Sequence, residues 1–193
     1  MNLHLGDKRA CPLQRQLLWL MAAMVLGLGL MRTALASEAL KPIAALDMPR
    51  YMGTWYEIAK YPAWFQRKCV GSTSAQYSLL DSGRVQVINR CKMANGEWNE
   101  AVGLARPVAG ASPAQLQVRF APEWLSFLPM VWGDYWVVAL DPQYQWSIVS
   151  EPSRQYLWIL SRTPTLPQGV YVQLLQQLAA MGFDLQKIDV STP

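Results

Sequence analysis

From Gly53 onward, short segments rich in Val, Tyr, Trp and Thr are punctuated by turn residues at about ten-residue spacing, the pattern of an all-β sandwich or barrel. Eight segments read as strands: 53–61, 70–80, 84–92, 97–107, 114–120, 134–141, 145–151 and 156–162. Alternation is cleanest in the fifth, where Leu116, Val118 and Phe120 share one face and Gln115, Gln117 and Arg119 the other. The apolar row must face an interior. Eight antiparallel strands can close into an up-and-down β-barrel, which removes exposed edges and leaves room inside for one small ligand. After them the period changes: Pro167 opens a helix, Val170, Leu174, Leu175, Leu178 and Met181 recur at helical spacing, and Gly182 stops it. That stripe is expected to pack on the barrel wall.

The first 36 residues follow a different pattern. Lys8, Arg9 and Arg15 precede an apolar run from Leu17 to Met31, and Ala34-Leu35-Ala36 forms an A-x-A cleavage site, so residues 1–36 read as a cleavable signal peptide and 37–193 as a single domain. The leader holds four of the 17 basic residues and one of the 13 acids, leaving 13 against 12, a balance of +1. A near-neutral domain has no electrostatic footprint for a polyanion, and no nucleic acid is expected as a partner.

Removing the leader also takes the only histidine, His4, and one of three cysteines, Cys11. Imidazole triads, thiolate catalysis and the usual zinc sites thereby lose their commonest residues, and neither a metal nor a cofactor is expected. Cys69 and Cys91 remain, an even number in an oxidising compartment, for which a disulfide is the default. Register gives an internal check. A three-residue loop Asp81-Ser82-Gly83, with Gly83 left-handed, pairs Tyr77 with Val87 and Ala75 with Asn89 on the inner face. Both cysteines share that parity. Strict pairing sets Cys91 opposite Thr73, so the bridge requires a bulge or loop excursion near Cys69.

Three ordered motifs carry a resemblance. Gly53-Thr54-Trp55-Tyr56 is answered by Gly133-Asp134-Tyr135 and then by Leu160-Ser161-Arg162-Thr163-Pro164. In this order they resemble the lipocalin family, most closely its bacterial and apolipoprotein D-like group, over about residues 43–190. The resemblance implies an eight-stranded calyx with one C-terminal α-helix on its wall. It also implies that Trp55 and Arg162 meet at the closed end, with Gly53, Gly133 and Asp134 as further structural residues rather than catalytic ones. Bacterial relatives of this kind often carry a lipid on a cysteine directly after the apolar run. Here Cys11 lies before that run, so the protein is expected to be exported to the periplasm or envelope in soluble form, without a lipid anchor.

Parity from Arg162 places Trp158 and Tyr156 on the pocket wall, with Tyr135 and Val137 joining from the sixth strand. Together with Tyr77, Val87, Asn89, Trp98, Leu116, Val118 and Phe120 they describe an aromatic and aliphatic cavity suited to a long apolar ligand such as a fatty acid or lysophospholipid. Two apolar loops, one with Trp64 and Phe65 and one with Trp124, Phe127 and Trp132, are expected at the open rim as a ligand entrance or a peripheral membrane contact. Two other readings compete with the carrier. One is an envelope interaction module using the Trp124–Trp132 loop; the other is an enzyme on the same barrel, for which Glu57, Tyr77 and Tyr135 are the inward polar candidates.

Overall fold

The computed structural model describes residues 38–192; the leader and its cleavage site lie outside the described residues. A short turn of helix α1 (Met48–Tyr51) leads into eight strands: β1 (Gly53–Lys60), β2 (Cys69–Leu79), β3 (Val85–Met93), β4 (Trp98–Pro107), β5 (Gln115–Arg119), β6 (Gly133–Leu140), β7 (Trp146–Ser150) and β8 (Leu157–Ser161). Helix α2 (Gln168–Ala180) and a two-residue strand β9 (Asp189–Val190) follow. Each strand pairs antiparallel with the next, β8 returns to β1, and β1 pairs with β2, which closes the barrel. All eight strands lie within about a residue of their sequence-predicted bounds.

The β2–β3 hairpin has the expected register, Tyr77 opposite Val87 and Ala75 opposite Asn89, with Gly83 at φ +74° in the connecting turn. Beyond Ser74 the pairing slips twice, between Ser74 and Gly71 and again between Gly71 and Cys69. This bulge, with Ser72 at φ +49°, brings Cys69 to Cys91 and a disulfide joins them, their Cα atoms 5.5 Å apart.

Two apolar cores lie on either side of the barrel wall. The inner one gathers Tyr51, Trp55, Tyr77, Val87, Val137 and Leu160. The outer one sits between the wall and α2, where Leu174 and Leu178 meet Ile148, Leu157 and Ile159. Strand β8 therefore buries both faces, Leu157 and Ile159 outward and Leu160 inward, and reads in the sequence as an unbroken apolar run. Helix α2 ends in a Schellman motif: Gly182, at φ +82°, donates to the Ala179 carbonyl, Phe183 donates to that of Leu178, and the Phe183 ring is buried against Leu178.

Strand β9 was not anticipated, being too short to carry a period. Strand β1 pairs with β2 only over residues 53–56. Where it parts from β2, β9 takes the vacated edge, with Ala59 opposite Val190 and Lys60 opposite Asp189, and the Ser72 amide on β2 donates to the Thr192 carbonyl. The two-residue strand thus fills a seam in the barrel wall.

Candidate functional site

At the closed end the Arg162 guanidinium lies 3.8 Å from the centre of the Trp55 ring. Its N–H groups donate to the carbonyls of Arg50, Thr54 and Tyr144. The indole N–H of Trp55 donates in turn to the Tyr51 carbonyl at 2.8 Å. Gly53 is required here on two counts: its φ is +95°, and a Cβ would stand 3.3 Å from Arg162 Nη1. A cation spread over a π-face and three carbonyls closes one end of the barrel without any reactive group. Asp141 organises the adjacent β6–β7 turn by accepting from the amides of Gln143 and Gln145.

Above this closure a cavity of about 590 Å³ opens toward the other end. Its volume originates in β4, whose inward row is Asn99, Ala101, Gly103 and Ala105, side chains too small to cross the lumen. Facing them across the space stand Tyr135, Tyr156, Trp158 and Leu160. Of the sequence-predicted wall residues, Tyr77, Val87, Asn89, Leu116, Val118, Phe120, Tyr135, Tyr156 and Trp158 line this cavity. Phe120 does so from the rim, half exposed, its ring occupying the space a Cβ on Gly103 would need, 2.7 Å away.

Two wall residues are corrected. Trp98 is 55% exposed on the outside of the barrel, 5.9 Å beneath the Arg90 guanidinium, because its neighbour Asn99, paired with the buried Cys91, takes the inward position. Val137 does point inward but is fully buried below the cavity, its amide and carbonyl engaged by Ala114 and Ile43, and it has no contact with the open space.

The cavity floor carries a feature that sequence reasoning missed. The Tyr51 hydroxyl lies 2.9 Å from that of Tyr135 and 3.1 Å from Ser147 Oγ, and Tyr77 lies 3.1 Å from Tyr135. Tyr51 also stacks on Tyr77 and packs on Trp55, which ties the chain of hydroxyls to the closed end. Burial pushes the Tyr51 phenol up to about 12 and holds Tyr77 and Tyr135 higher still, so all three are neutral. Positions 51, 77, 135 and 147 share no motif or spacing, and only the fold joins them.

At the open rim Trp64, Phe65, Trp124, Phe127 and Met130 are exposed, Met130 to 87%. Phe65 links the rim to the wall, its ring 5.7 Å from both Trp64 and Tyr156 and 6.4 Å from Trp158. Trp132, expected beside them, is instead the anchor of its loop. It lies 3.8 Å from the Arg106 guanidinium and 5.3 Å from that of Arg119, and its indole N–H donates to the Ser126 carbonyl. Gly133 takes the inward position, so the residue before it turns outward.

Gln66, on the same rim as Trp64 and Phe65, donates to Glu57 and accepts from the Trp158 indole. The buried Glu57 carboxylate is further held by Lys60 Nζ and the Ser191 hydroxyl, each at 2.6 Å. With every oxygen engaged, Glu57 is a structural anion that fastens the rim and the β9 segment to β1. Among the described residues, no group of three or more His, Cys, Asp or Glu is placed to hold a metal ion, and no helix is long and apolar enough to cross a membrane.

A family profile for a lipocalin-like domain matches residues 46–193. Temperature-induced lipocalin-1 of Arabidopsis thaliana is 40% identical over 153 residues, 78% of this chain and 81% of that protein. Outer membrane lipoprotein Blc of Vibrio cholerae is 34% identical over 153 residues, 78% of this chain and 85% of its own. Apolipoprotein D of Mus musculus is 32% identical over 149 residues, 74% of each chain. Among solved structures, insecticyanin from the tobacco hornworm Manduca sexta matches with a TM-score of 0.62 at 20% identity, over 80% of this chain and 84% of that one, a likeness of fold. Three motifs in order, a calyx closed by Trp55 and Arg162, and relatives matched over most of their length place this chain in the lipocalin family.

Proposed function

We propose that this protein binds a small hydrophobic ligand, a fatty acid or lysophospholipid, in the barrel lumen and carries or stores it in the cell envelope after export. The observation that carries the reading is the cavity of about 590 Å³, walled by apolar and aromatic side chains and open at one end. Burial of an acyl chain there is favourable by about 25 cal/mol per Å² before the entropy of binding is counted. The exposed Trp64, Phe65, Trp124, Phe127 and Met130 support transfer by contact with a lipid surface, since tryptophan favours the headgroup region. The disulfide and the family of Blc support an envelope location. Chemistry at Glu57 is disfavoured, because its carboxylate is committed to three partners.

Native mass spectrometry of the protein purified from its own host, followed by organic extraction, tests this. One fatty acid or lysophospholipid per chain is the expected result. An empty protein that also takes up neither lipid in titration would overturn the carrier reading.

A further inference from the structure

We propose that the cavity floor is a subsite for an uncharged hydroxyl or carbonyl group at the buried end of the ligand, read by the Tyr77–Tyr135–Tyr51–Ser147 chain of hydroxyls. The inference rests on the carrier reading above and narrows its ligand to acyl chains that are polar at both ends.

The hydroxyl chain has one hydrogen more than it has internal bonds. Each hydroxyl supplies one hydrogen and can accept two bonds. Four hydroxyls joined by three contacts therefore hold four hydrogens for three bonds, and one O–H has no partner within the chain. The free hydrogen belongs to whichever end the chain is polarised toward. One end is Ser147, sealed at zero exposure on β7. The other is Tyr77, whose side chain lines the cavity. Polarised toward Tyr77, the chain donates into the lumen; polarised away, Tyr77 accepts from the lumen. A hydroxyl is served in either sense, and a carbonyl in the first.

The floor also selects against charge. Phenols this deeply buried are neutral, and the cation that acts on Tyr51 and Tyr77, Arg162, is committed to three carbonyls and to the Trp55 ring. A carboxylate at the floor would lose its water and meet no cation free to pair with it, since Arg162 does not line the cavity, so an acid head belongs at the mouth and a neutral group below. Polarity is costly in this place. Trp55 and Val137, both fully buried, surround the chain, and phenylalanine at 77 or 135 would keep the ring packing without placing hydroxyls in an apolar floor.

The test is a cycle of four affinities: hexadecanoic acid and its ω-hydroxy derivative, each titrated against the wild-type protein and Tyr77→Phe, with a shorter and a longer pair run alongside so that one length reaches the floor. Tyr77→Phe keeps the ring stack and the Tyr51–Tyr135–Ser147 contacts. Tyr135→Phe serves as the second variant, and circular dichroism verifies that each is folded. The affinity ratio of hydroxylated to plain acid should fall about tenfold from wild type to variant, equivalent to about 1.4 kcal/mol. An unchanged ratio, with both acids binding, overturns the subsite and leaves the carrier reading standing. Failure of plain hexadecanoic acid and its longer and shorter analogues to bind the wild type removes the carrier reading and the subsite with it.

Discussion

Replacing Ala101 by leucine adds three carbon atoms to the one stretch of wall whose inward residues are too small to fill the lumen. If that space is empty in the free protein, the added side chain is buried at about 0.8 kcal/mol per carbon, about 2.4 kcal/mol in all. Ordering a leucine offsets roughly 0.5–1 kcal/mol of this. The variant should therefore be about 1.5 kcal/mol more stable in urea denaturation of the ligand-free protein. Binding should move the other way. A leucine that displaces three methylenes of an acyl chain forfeits about 2.4 kcal/mol of affinity, a loss of roughly fiftyfold in a fluorescence titration with hexadecanoic acid. Gly103→Ala provides the contrast on the same strand, because its Cβ would fall 2.7 Å from the Phe120 ring and 2.8 Å from the Arg119 carbonyl. That change should destabilise. The reasoning is refuted if Ala101→Leu loses about 1–3 kcal/mol, the usual cost of overpacking, while affinity stays unchanged. The wall along β4 would then be filled already, and any ligand would bind elsewhere.

Converting Cys69 and Cys91 together to serine opens a loop of sequence separation 22, and loop-closure entropy sets the cost near 3 kcal/mol. The melting temperature should drop by roughly 6–12 °C, and a drop of under about 2 °C would show that the β2–β3 hairpin constrains the chain without the bridge. Arg162→Lys keeps a charge but loses the fork that holds the Arg50, Thr54 and Tyr144 carbonyls and the stack on Trp55. About 2–3 kcal/mol of stability should go with it, measured in urea, and a loss below about 0.5 kcal/mol would contradict the closure described here. Alkaline titration probes the floor. Tyr51 ionises near 10 in the unfolded chain and about 12 in the fold, so its contribution is complete below pH 10 and disappears as pH rises through 12. Tyr77 and Tyr135 act in the same direction. Stability should fall by about 3 kcal/mol from Tyr51 alone over that window. A phenolate absorbance step of three residues near pH 10, with the protein still folded, would rule out the buried chain.

Legibility in the sequence followed the local physics of each element. The β2–β3 register could be read because a three-residue turn ending in Gly83 fixes which residues oppose one another. Strand β5 could be read because its polar and apolar rows do not mix. Strand β4 misled for an identifiable reason: its large apolar side chains, Trp98, Val102 and Leu104, stand on the outward row beside the charged Glu100 and Arg106, while the inward row is the small Asn99, Ala101, Gly103 and Ala105. A hollow protein needs small residues inside, so hydrophobicity points the wrong way on the strand that makes the hollow. Trp132 misled similarly, since cation–π partners on neighbouring strands leave no trace in its own segment. The floor was hidden because Tyr51, Tyr77, Tyr135 and Ser147 meet only after the barrel closes.

The seam beside β1 has a kinetic side. The first barrel strand completes its pairing only with β8, about a hundred residues further along the chain, and with β9, further still. Until those arrive, one edge of β1 stays without its partners. Contacts of such long sequence separation make folding slow, and an unpaired apolar edge during that wait invites pairing with other chains. The burden on any holding chaperone thus falls on the newly made chain while its first strand waits for its last.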